Sequence, residues 1–181
     1  YNHTEVSEMI KIVFVTLLFF ITACAPRPSL EDVKLSKLEL NLEEFFIGKT
    51  TAYGQLQDRF GKVRSRFKVD IDGTWDGTTL TLVENFTYQD ESTEIRVWKL
   101  KKLGKNKWRG TAPGVIGSAI GEEHGDTFNF QYSLKLPFGD HTLRVDFDDW
   151  MWLLDDKRLF NRAYISKFGV NLAEVLITFE K

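Results

Sequence analysis

A carboxylate and a guanidinium are expected to face each other inside the molecule. Glu84 lies in a run that alternates with leucine and aromatic residues, so it shares the predicted core face of its strand. If residues 89–91 form a three-residue loop, Arg96 lies opposite Glu84, and Trp98 lies opposite Leu82. The charges would then form a buried structural ion pair, or Arg96 would receive a ligand carboxylate or phosphate that Glu84 helps to orient. A four-residue loop would instead turn Arg96 outward.

A second carboxylate, Asp149, also falls on an apolar strand face. A two-residue turn between the flanking strands places it across from Phe130 and diagonal to Tyr132. Left unpaired, this buried group would have a raised pKa, which would suit a general acid or base. Alternatively, Tyr132 or Asn161, which falls on the same face one strand away, would satisfy it structurally.

The outward face of the same hairpin is rich in aromatic residues. Asp148, Trp150 and Trp152 alternate there, and Arg162 is expected opposite Trp150. Arginine stacked on tryptophan resembles the barrel-closing contact of lipocalin-like folds. Exposed aromatic residues need a cover. A short helix near Leu35–Phe46 would provide one, or else the four residues would form a membrane-facing or partner-binding surface.

Composition and spacing argue against several kinds of site. The net charge is −2 and there is no basic block, so nucleic acid is not an expected partner. The glycine-rich segment 110–125 lacks the lysine and the following helix of a phosphate loop, and no metal-ligand spacing occurs, so no cofactor is expected. The same segment could form a flexible portal over a barrel mouth or a crowded, coiled strand.

Short alternating runs joined by tight turns dominate the chain and position these residues. Asp76-Gly77 is a hairpin signal that sets Ile71 beside Leu82. We predict an all-β, antiparallel, up-and-down, lipocalin-like β-barrel of about nine strands with a short N-terminal helix. Beside the two hairpins, strands are predicted at Thr50–Arg59, Thr93–Leu103, Lys107–Ala112, Arg158–Ser166 and Asn171–Glu180.

The segment Met9–Cys24 has the layout of a bacterial lipoprotein signal peptide. A lysine precedes an apolar run too short for a comfortable membrane span, and small residues lead to Cys24, which would carry the lipid. Ala25, rather than aspartate, follows the cysteine and favours the outer membrane, on its periplasmic face. The predicted organisation is an upstream extension plus signal peptide over 1–23, a lipidated tether over 24–34 and one barrel domain over 35–181.

From about Leu40 to Lys181 the chain resembles the DUF3833 family of uncharacterised bacterial lipoproteins. The resemblance implies a small β-barrel lipoprotein and supplies no activity. Two departures are Glu91, where the family has a turn glycine, and Pro113-Gly114, where it has acidic residues. The matching motifs are Phe45-Phe46-x-Gly48, Gln57-Asp58-Arg59-Phe60-Gly61, Gly73-Thr74-Trp75, Glu84-x-Phe86-x-Tyr88, Arg96-x-Trp98, Asp148-Asp149-Trp150-Met151, Asn161-Arg162 and Ser166-Lys167-Phe168-Gly169.

The function predicted from the sequence is a lipid-anchored binding protein for an acyl chain, an isoprenoid or a similar apolar ligand. Arg96 and Glu84 would lie near the polar end of that ligand. One alternative is a lipid-modifying enzyme that uses Glu84 or Asp149 as acid or base. The other is an envelope scaffold that recruits a protein through the Trp150 and Trp152 surface.

Overall fold

A computed structural model describes residues 26–35 and 37–181. The predicted signal peptide Met9–Cys24, with its lipidation site, lies outside the described residues. Ten strands and one short helix make up the described part of the chain. The helix, α1, is Leu42–Phe46, and the strands are β1 Gly48–Asp58, β2 Val63–Trp75, β3 Thr79–Tyr88, β4 Thr93–Lys102, β5 Lys107–Thr111, β6 Ala119–His124, β7 Thr127–Phe138, β8 His141–Leu153, β9 Arg158–Lys167 and β10 Val170–Glu180.

The strands form a closed antiparallel barrel. Each strand pairs with the next one in the sequence, and β1 closes the ring by pairing with β10, from Thr51 opposite Glu180 to Asp58 opposite Ala173. Closure removes every free edge from the sheet. The predicted all-β up-and-down barrel is confirmed. The additional strand is β6, which lies inside the glycine-rich segment.

The barrel hairpins test the predicted registers. In the β7–β8 hairpin, Phe130 lies opposite Asp149, as predicted. In the β2–β3 hairpin the predicted register was wrong by two residues, because Ile71 lies opposite Glu84. The turn residues are Gly77 and Thr78 rather than Asp76 and Gly77, since the Asp76 amide donates to the Thr79 carbonyl at 3.2 Å. The Asp76 carboxylate also accepts hydrogen bonds from the Thr78 and Thr79 amides at 2.8 and 2.7 Å. A slip of two residues leaves the faces unchanged.

The three-residue loop between β3 and β4 is present, and it places Glu84 opposite Arg96. The Tyr88 amide donates to the Ser92 carbonyl at 2.9 Å and closes the loop. Glu91 sits in the loop with φ of 66°, a left-handed conformation that favours glycine. The turn thus forms with a glutamate at a position that favours glycine.

Helix α1 closes one end of the barrel. Leu42, Phe45 and Phe46 are buried among the strands. A Cβ at Gly73 would lie 1.7 Å from the Phe46 carbonyl oxygen, so the glycine is what lets α1 approach β2. Because α1 lies across the end of the barrel, the prediction that it covers the outer aromatic face was wrong.

Residues 27–35 run along the outside of the barrel instead. The Arg27 guanidinium lies 3.8 Å from the Tyr164 ring centroid and donates to Asn171. At the other end of the segment, the Leu35 amide donates to Asp126 Oδ2 at 2.9 Å. No helix in the described ranges is long and apolar enough to cross a membrane.

The core cluster is drawn from α1 and the inward faces of the strands, between Leu40 and Phe179. The described barrel has its own hydrophobic core and a closed sheet, as expected of a part of the chain that folds on its own.

Candidate functional site

The barrel encloses a cavity of about 300 Å³. Apolar and aromatic side chains form most of its wall, and Leu42 and Phe46 of α1 border one end. A mostly apolar pocket with a few converging polar groups is the usual form of a small-molecule site. All six residues predicted to bind a ligand line this cavity, namely Glu84, Arg96, Trp98, Tyr132, Asp149 and Asn161.

Arg96 is held at one side of the cavity by a neighbour on its own strand. Its Nη2 donates to Glu94 Oε1 at 2.9 Å, and the guanidinium lies 4.8 Å from the Phe86 ring centroid. The Tyr88 hydroxyl donates to the other oxygen of Glu94 at 2.8 Å. The predicted direct pair between Arg96 and Glu84 was wrong. The two residues lie opposite each other in the β3–β4 register, but the Arg96 guanidinium donates its hydrogen bond to Glu94. Continuing the alternation along β4 would have placed Glu94 on the same face as Arg96.

Glu84 is half-buried and lines the cavity. Burial raises the pKa of its carboxyl to about 7, although the nearby Arg96 charge lowers it. The charges of Asp149 and Glu94 add to the rise. At neutral pH this carboxyl is therefore divided between its protonated and ionised forms.

Asp149 is buried, with 8% of its surface exposed. Burial raises the pKa of its carboxyl to about 7, and the Tyr132 hydroxyl acts in the opposite direction. Within the described chain, its buried Oδ1 has no hydrogen-bond partner. The predicted Asn161 partner was wrong, because Asn161 Nδ2 donates to the Trp150 carbonyl at 3.0 Å.

Aromatic rings fix the wall beside Asp149. The Tyr132 ring stacks on Phe147 at 4.9 Å and meets Trp98 edge-on at 5.2 Å between centroids. Burial raises the pKa of the Tyr132 hydroxyl far above its ordinary value, so Tyr132 stays a neutral hydrogen-bond donor. Trp98 also contacts Phe130 at 5.2 Å.

Part of the glycine-rich segment 110–125 is a crowded strand. A Cβ at Gly110 would lie 2.5 Å from Phe130 Cζ, and one at Gly121 would lie 2.5 Å from Phe128 Cζ. The glycines leave room for these rings against β5 and β6. The connecting residues are tied to β7 as well, since the Ile116 amide donates to the Ser133 carbonyl at 2.9 Å.

The outer aromatic face has a different arrangement from the one predicted. Arg162 lies opposite Trp150 in the register, but its guanidinium bonds Glu174 at 2.8 Å and lies 4.8 Å from the Tyr164 ring. The predicted stack of Arg162 on Trp150 was therefore wrong. Trp150 is 5% exposed and stacks with Trp152 at 6.4 Å.

Asp148 joins this outer face to the N-terminal segment. Its Oδ1 accepts hydrogen bonds from Asn129 at 2.9 Å and from Gln131 at 3.1 Å, and its Oδ2 lies 3.9 Å from Arg27 Nε. Asp148 is thus a structural anchor on the outside, whereas Asp149 faces the cavity. Among the described residues, no three His, Cys, Asp or Glu side chains converge as metal ligands would.

The comparisons with known proteins agree with the fold. The sequence profile of a family described as "Protein of unknown function (DUF3833)" matches residues 18–181. No curated protein matches the chain.

Two solved structures are similar to the barrel. One is the S-type phycobiliprotein lyase of Guillardia theta, with a TM-score of 0.57, 14% identity and coverage of 78% of this chain and 93% of that one. The other, from Nostoc punctiforme, is a DUF3598 protein with unknown function, with a TM-score of 0.56, 13% identity and coverage of 87% and 53%. The chain therefore spans about half the length of the Nostoc protein. At these identities the likeness shows the fold, a lipocalin-like barrel.

Proposed function

This chain belongs to the DUF3833 family, and we propose that it is a binding protein that carries a small, largely apolar ligand inside its barrel. The observation that supports this function is the cavity of about 300 Å³, walled mainly by apolar side chains. At roughly 30 Å³ per water-sized group, about ten non-hydrogen atoms fit inside. A medium-length acyl chain or a short isoprenoid has this size.

The first test is to purify residues 26–181 from a bacterial periplasm and to combine native mass spectrometry with organic extraction. We expect one small apolar species in a one-to-one complex. Isothermal calorimetry with naphthalene and octan-1-ol follows on the emptied protein. A folded barrel that holds nothing and binds neither compound contradicts the proposed function.

A pair of neighbouring substitutions isolates the cavity. Ala112 lines it, whereas Thr111 is exposed one position earlier in the chain. Ala112→Trp should fill the space and weaken naphthalene binding at least tenfold, and Thr111→Trp should leave it unchanged. Equal losses from the two variants would point to general damage rather than to an occupied cavity.

The proposed location is the periplasmic face of the bacterial outer membrane, with a diacylglycerol on Cys24. The support is the pattern of Met9–Cys24 and the alanine that follows it. A clickable fatty-acid label should enter the full-length protein and be lost in Cys24→Ser. Membrane fractionation should place the labelled protein in the outer membrane and Ala25→Asp in the inner one. Label retained by Cys24→Ser contradicts the anchor.

A second candidate function is modification of the bound molecule. It is favoured by the pKa values of about 7 at Glu84 and Asp149, which suit proton transfer at neutral pH. An enzyme would convert the copurified ligand during incubation, and Asp149→Asn would keep binding but lose conversion. A ligand recovered unchanged after long incubation contradicts this candidate and leaves the carrier function intact.

A further inference from the structure

Carboxyl groups outnumber guanidinium groups on the described wall of the cavity. Glu84 and Asp149 both line it, and the one guanidinium among the described lining residues, that of Arg96, is already bonded to Glu94. The predicted role of Arg96, to receive a ligand carboxylate or phosphate, therefore conflicts with its bond to Glu94. An anionic ligand would enter a site where one arginine is already close to three carboxyl groups, those of Glu84, Glu94 and Asp149.

Asp149 also has an unused hydrogen-bonding position. Its Oδ1 is buried and has no partner among the described residues, and the side chain is more than nine-tenths buried. A buried acceptor without a donor destabilises the protein, because the oxygen has lost its hydrogen bonds to water. A ligand that brings a donor to this oxygen removes that destabilisation on binding.

Resting on the proposed function, we propose that the polar end of the ligand is a protonated amine that donates to Asp149 and is balanced by Glu84. An ammonium group supplies three donors and one positive charge, so it can donate to the unpartnered Oδ1 of Asp149 while its charge is balanced by Glu84. The apolar remainder of the molecule lies along the aromatic wall formed by Trp98, Phe130 and Phe147. The ligand class is thus an alkyl- or isoprenoid-amine of about ten non-hydrogen atoms.

Three probes of matched length test the head group on residues 26–181. Octylamine, octan-1-ol and octanoate are titrated at pH 7 by isothermal calorimetry. We expect octylamine to bind at least tenfold more tightly than octan-1-ol and octanoate to bind most weakly. Octanoate binding as tightly as octylamine overturns the proposal, and so does equal binding of octylamine and octan-1-ol.

Three substitutions locate the effect. Asp149→Asn and Glu84→Gln should each weaken octylamine at least tenfold and leave octan-1-ol within about twofold, since an amide oxygen still accepts a hydrogen bond. Asp140→Asn is the control, because the same charge is removed in the exposed β7–β8 turn, and it should change octylamine binding less than threefold. An equal loss in Asp140→Asn overturns the placement of the amine inside the barrel.

Naphthalene separates this proposal from the proposed function. If naphthalene binds and Ala112→Trp abolishes that binding, but octylamine binds no more tightly than octan-1-ol, only the proposal of an amine ligand is overturned. If neither naphthalene nor any octyl compound binds the folded protein, the carrier function fails and the amine fails with it.

Discussion

Arg96 donates its hydrogen bond to Glu94, two positions earlier on its own strand, although Glu84 lies directly opposite it on β3. This hydrogen bond affects the pKa of the carboxyl that Arg96 faces across the strands. The carboxyl of Glu84 faces a guanidinium whose charge is shared, so burial dominates and its pKa rises to about 7. The Glu84 carboxyl is consequently easier to protonate than an ordinary glutamate, although it lies opposite an arginine.

Removing the Glu94 charge should lower the pKa of Glu84. In Glu94→Gln the raising effect of the Glu94 charge disappears, and Arg96 becomes free to turn towards Glu84. A titration of the Glu84 side-chain carboxyl by carbon-13 NMR should show the midpoint falling below about 7. Glu39→Gln, at an exposed position before α1, should leave the midpoint unchanged. An unaltered midpoint in Glu94→Gln would show that Glu94 has no influence on Glu84.

The unfolding free energy should fall as the pH rises from about 4 to about 7. The pKa of Asp149 is raised to about 7 in the folded protein, so the folded state binds the proton more tightly than the unfolded state does. The protonated Asp149 carboxyl stabilises the protein fully when the pH is below its pKa in the unfolded state. This stabilisation is lost as the pH rises through its pKa in the folded state. One such carboxyl contributes a few kcal/mol at most, on the order of 3 kcal/mol.

Denaturant unfolding at several pH values checks this dependence. Asp149→Asn should flatten the decline and make the protein more stable than wild type at pH 8. Asp140→Asn, in the exposed β7–β8 turn, should keep the wild-type slope. A slope in Asp149→Asn equal to that of wild type would mean that Asp149 ionises freely in the folded state.

Gly73→Ala should destabilise the barrel by dislodging α1. The added Cβ would lie 1.7 Å from the Phe46 carbonyl oxygen, so the helix must move away from β2. Overpacking of this kind costs about 1–3 kcal/mol, a fall in Tm of roughly 2–12 °C for a protein of this size. Gly104→Ala is the control, because a Cβ there has no atom within 4 Å. Equal melting temperatures in calorimetry would mean that α1 does not need this close approach.

Glu91→Gly should stabilise the β3–β4 hairpin. Glu91 has a φ of 66°, a conformation that costs a residue with a Cβ about 1 kcal/mol. Glycine removes this strain, but it loses more backbone entropy on folding, so only part of the energy is gained. We expect a gain of roughly 0.5 kcal/mol in unfolding free energy. Asp140→Gly, in another exposed turn, is expected to give no gain. A loss of stability in Glu91→Gly would show that the Glu91 side chain supports the turn.

Alternation along the strands was enough to predict which residues face the inside. The six predicted cavity residues line it because a strand's side chains alternate strictly, even where the β2–β3 register differed by two positions. The partners of those side chains were not predictable. Glu94 and Glu84 both flank Arg96 on one face, and only the packed rotamers decide which carboxylate accepts its hydrogen bond.

The N-terminal segment is the other place where the sequence was insufficient. The tether predicted over 24–34 was expected to act as a spacer because its two prolines, Pro26 and Pro28, oppose helix formation. A proline-containing stretch can equally lie extended along a surface, and here Arg27 fixes it to Tyr164 and Asn171. No periodicity encodes such a contact, since it depends on one side chain and on strands far along the chain.

Arg27→Ala should release this segment from the barrel. Arg27 lies 3.8 Å from the Tyr164 ring and also approaches Asp148, and contacts of this kind contribute about 1–2 kcal/mol. Losing them should raise the population of molecules with a detached segment roughly tenfold, and the rate of trypsin cleavage after Lys34 should rise with it. In the intact protein the Lys34 ammonium donates to the Leu30 carbonyl at 2.6 Å. Mass spectrometry of timed digests measures that rate.

Arg64→Ala serves as the control, because it removes another surface arginine, one bonded to Asp58 at 2.7 Å near the β1–β2 turn. Cleavage after Lys34 should keep the wild-type rate in this variant. If Arg27→Ala also keeps that rate, the segment is held chiefly by its other end, where the Leu35 amide donates to Asp126. If the rate rises, Arg27 is the residue that converts a proline-rich spacer into a cover for the outer face around Asp148 and Tyr164.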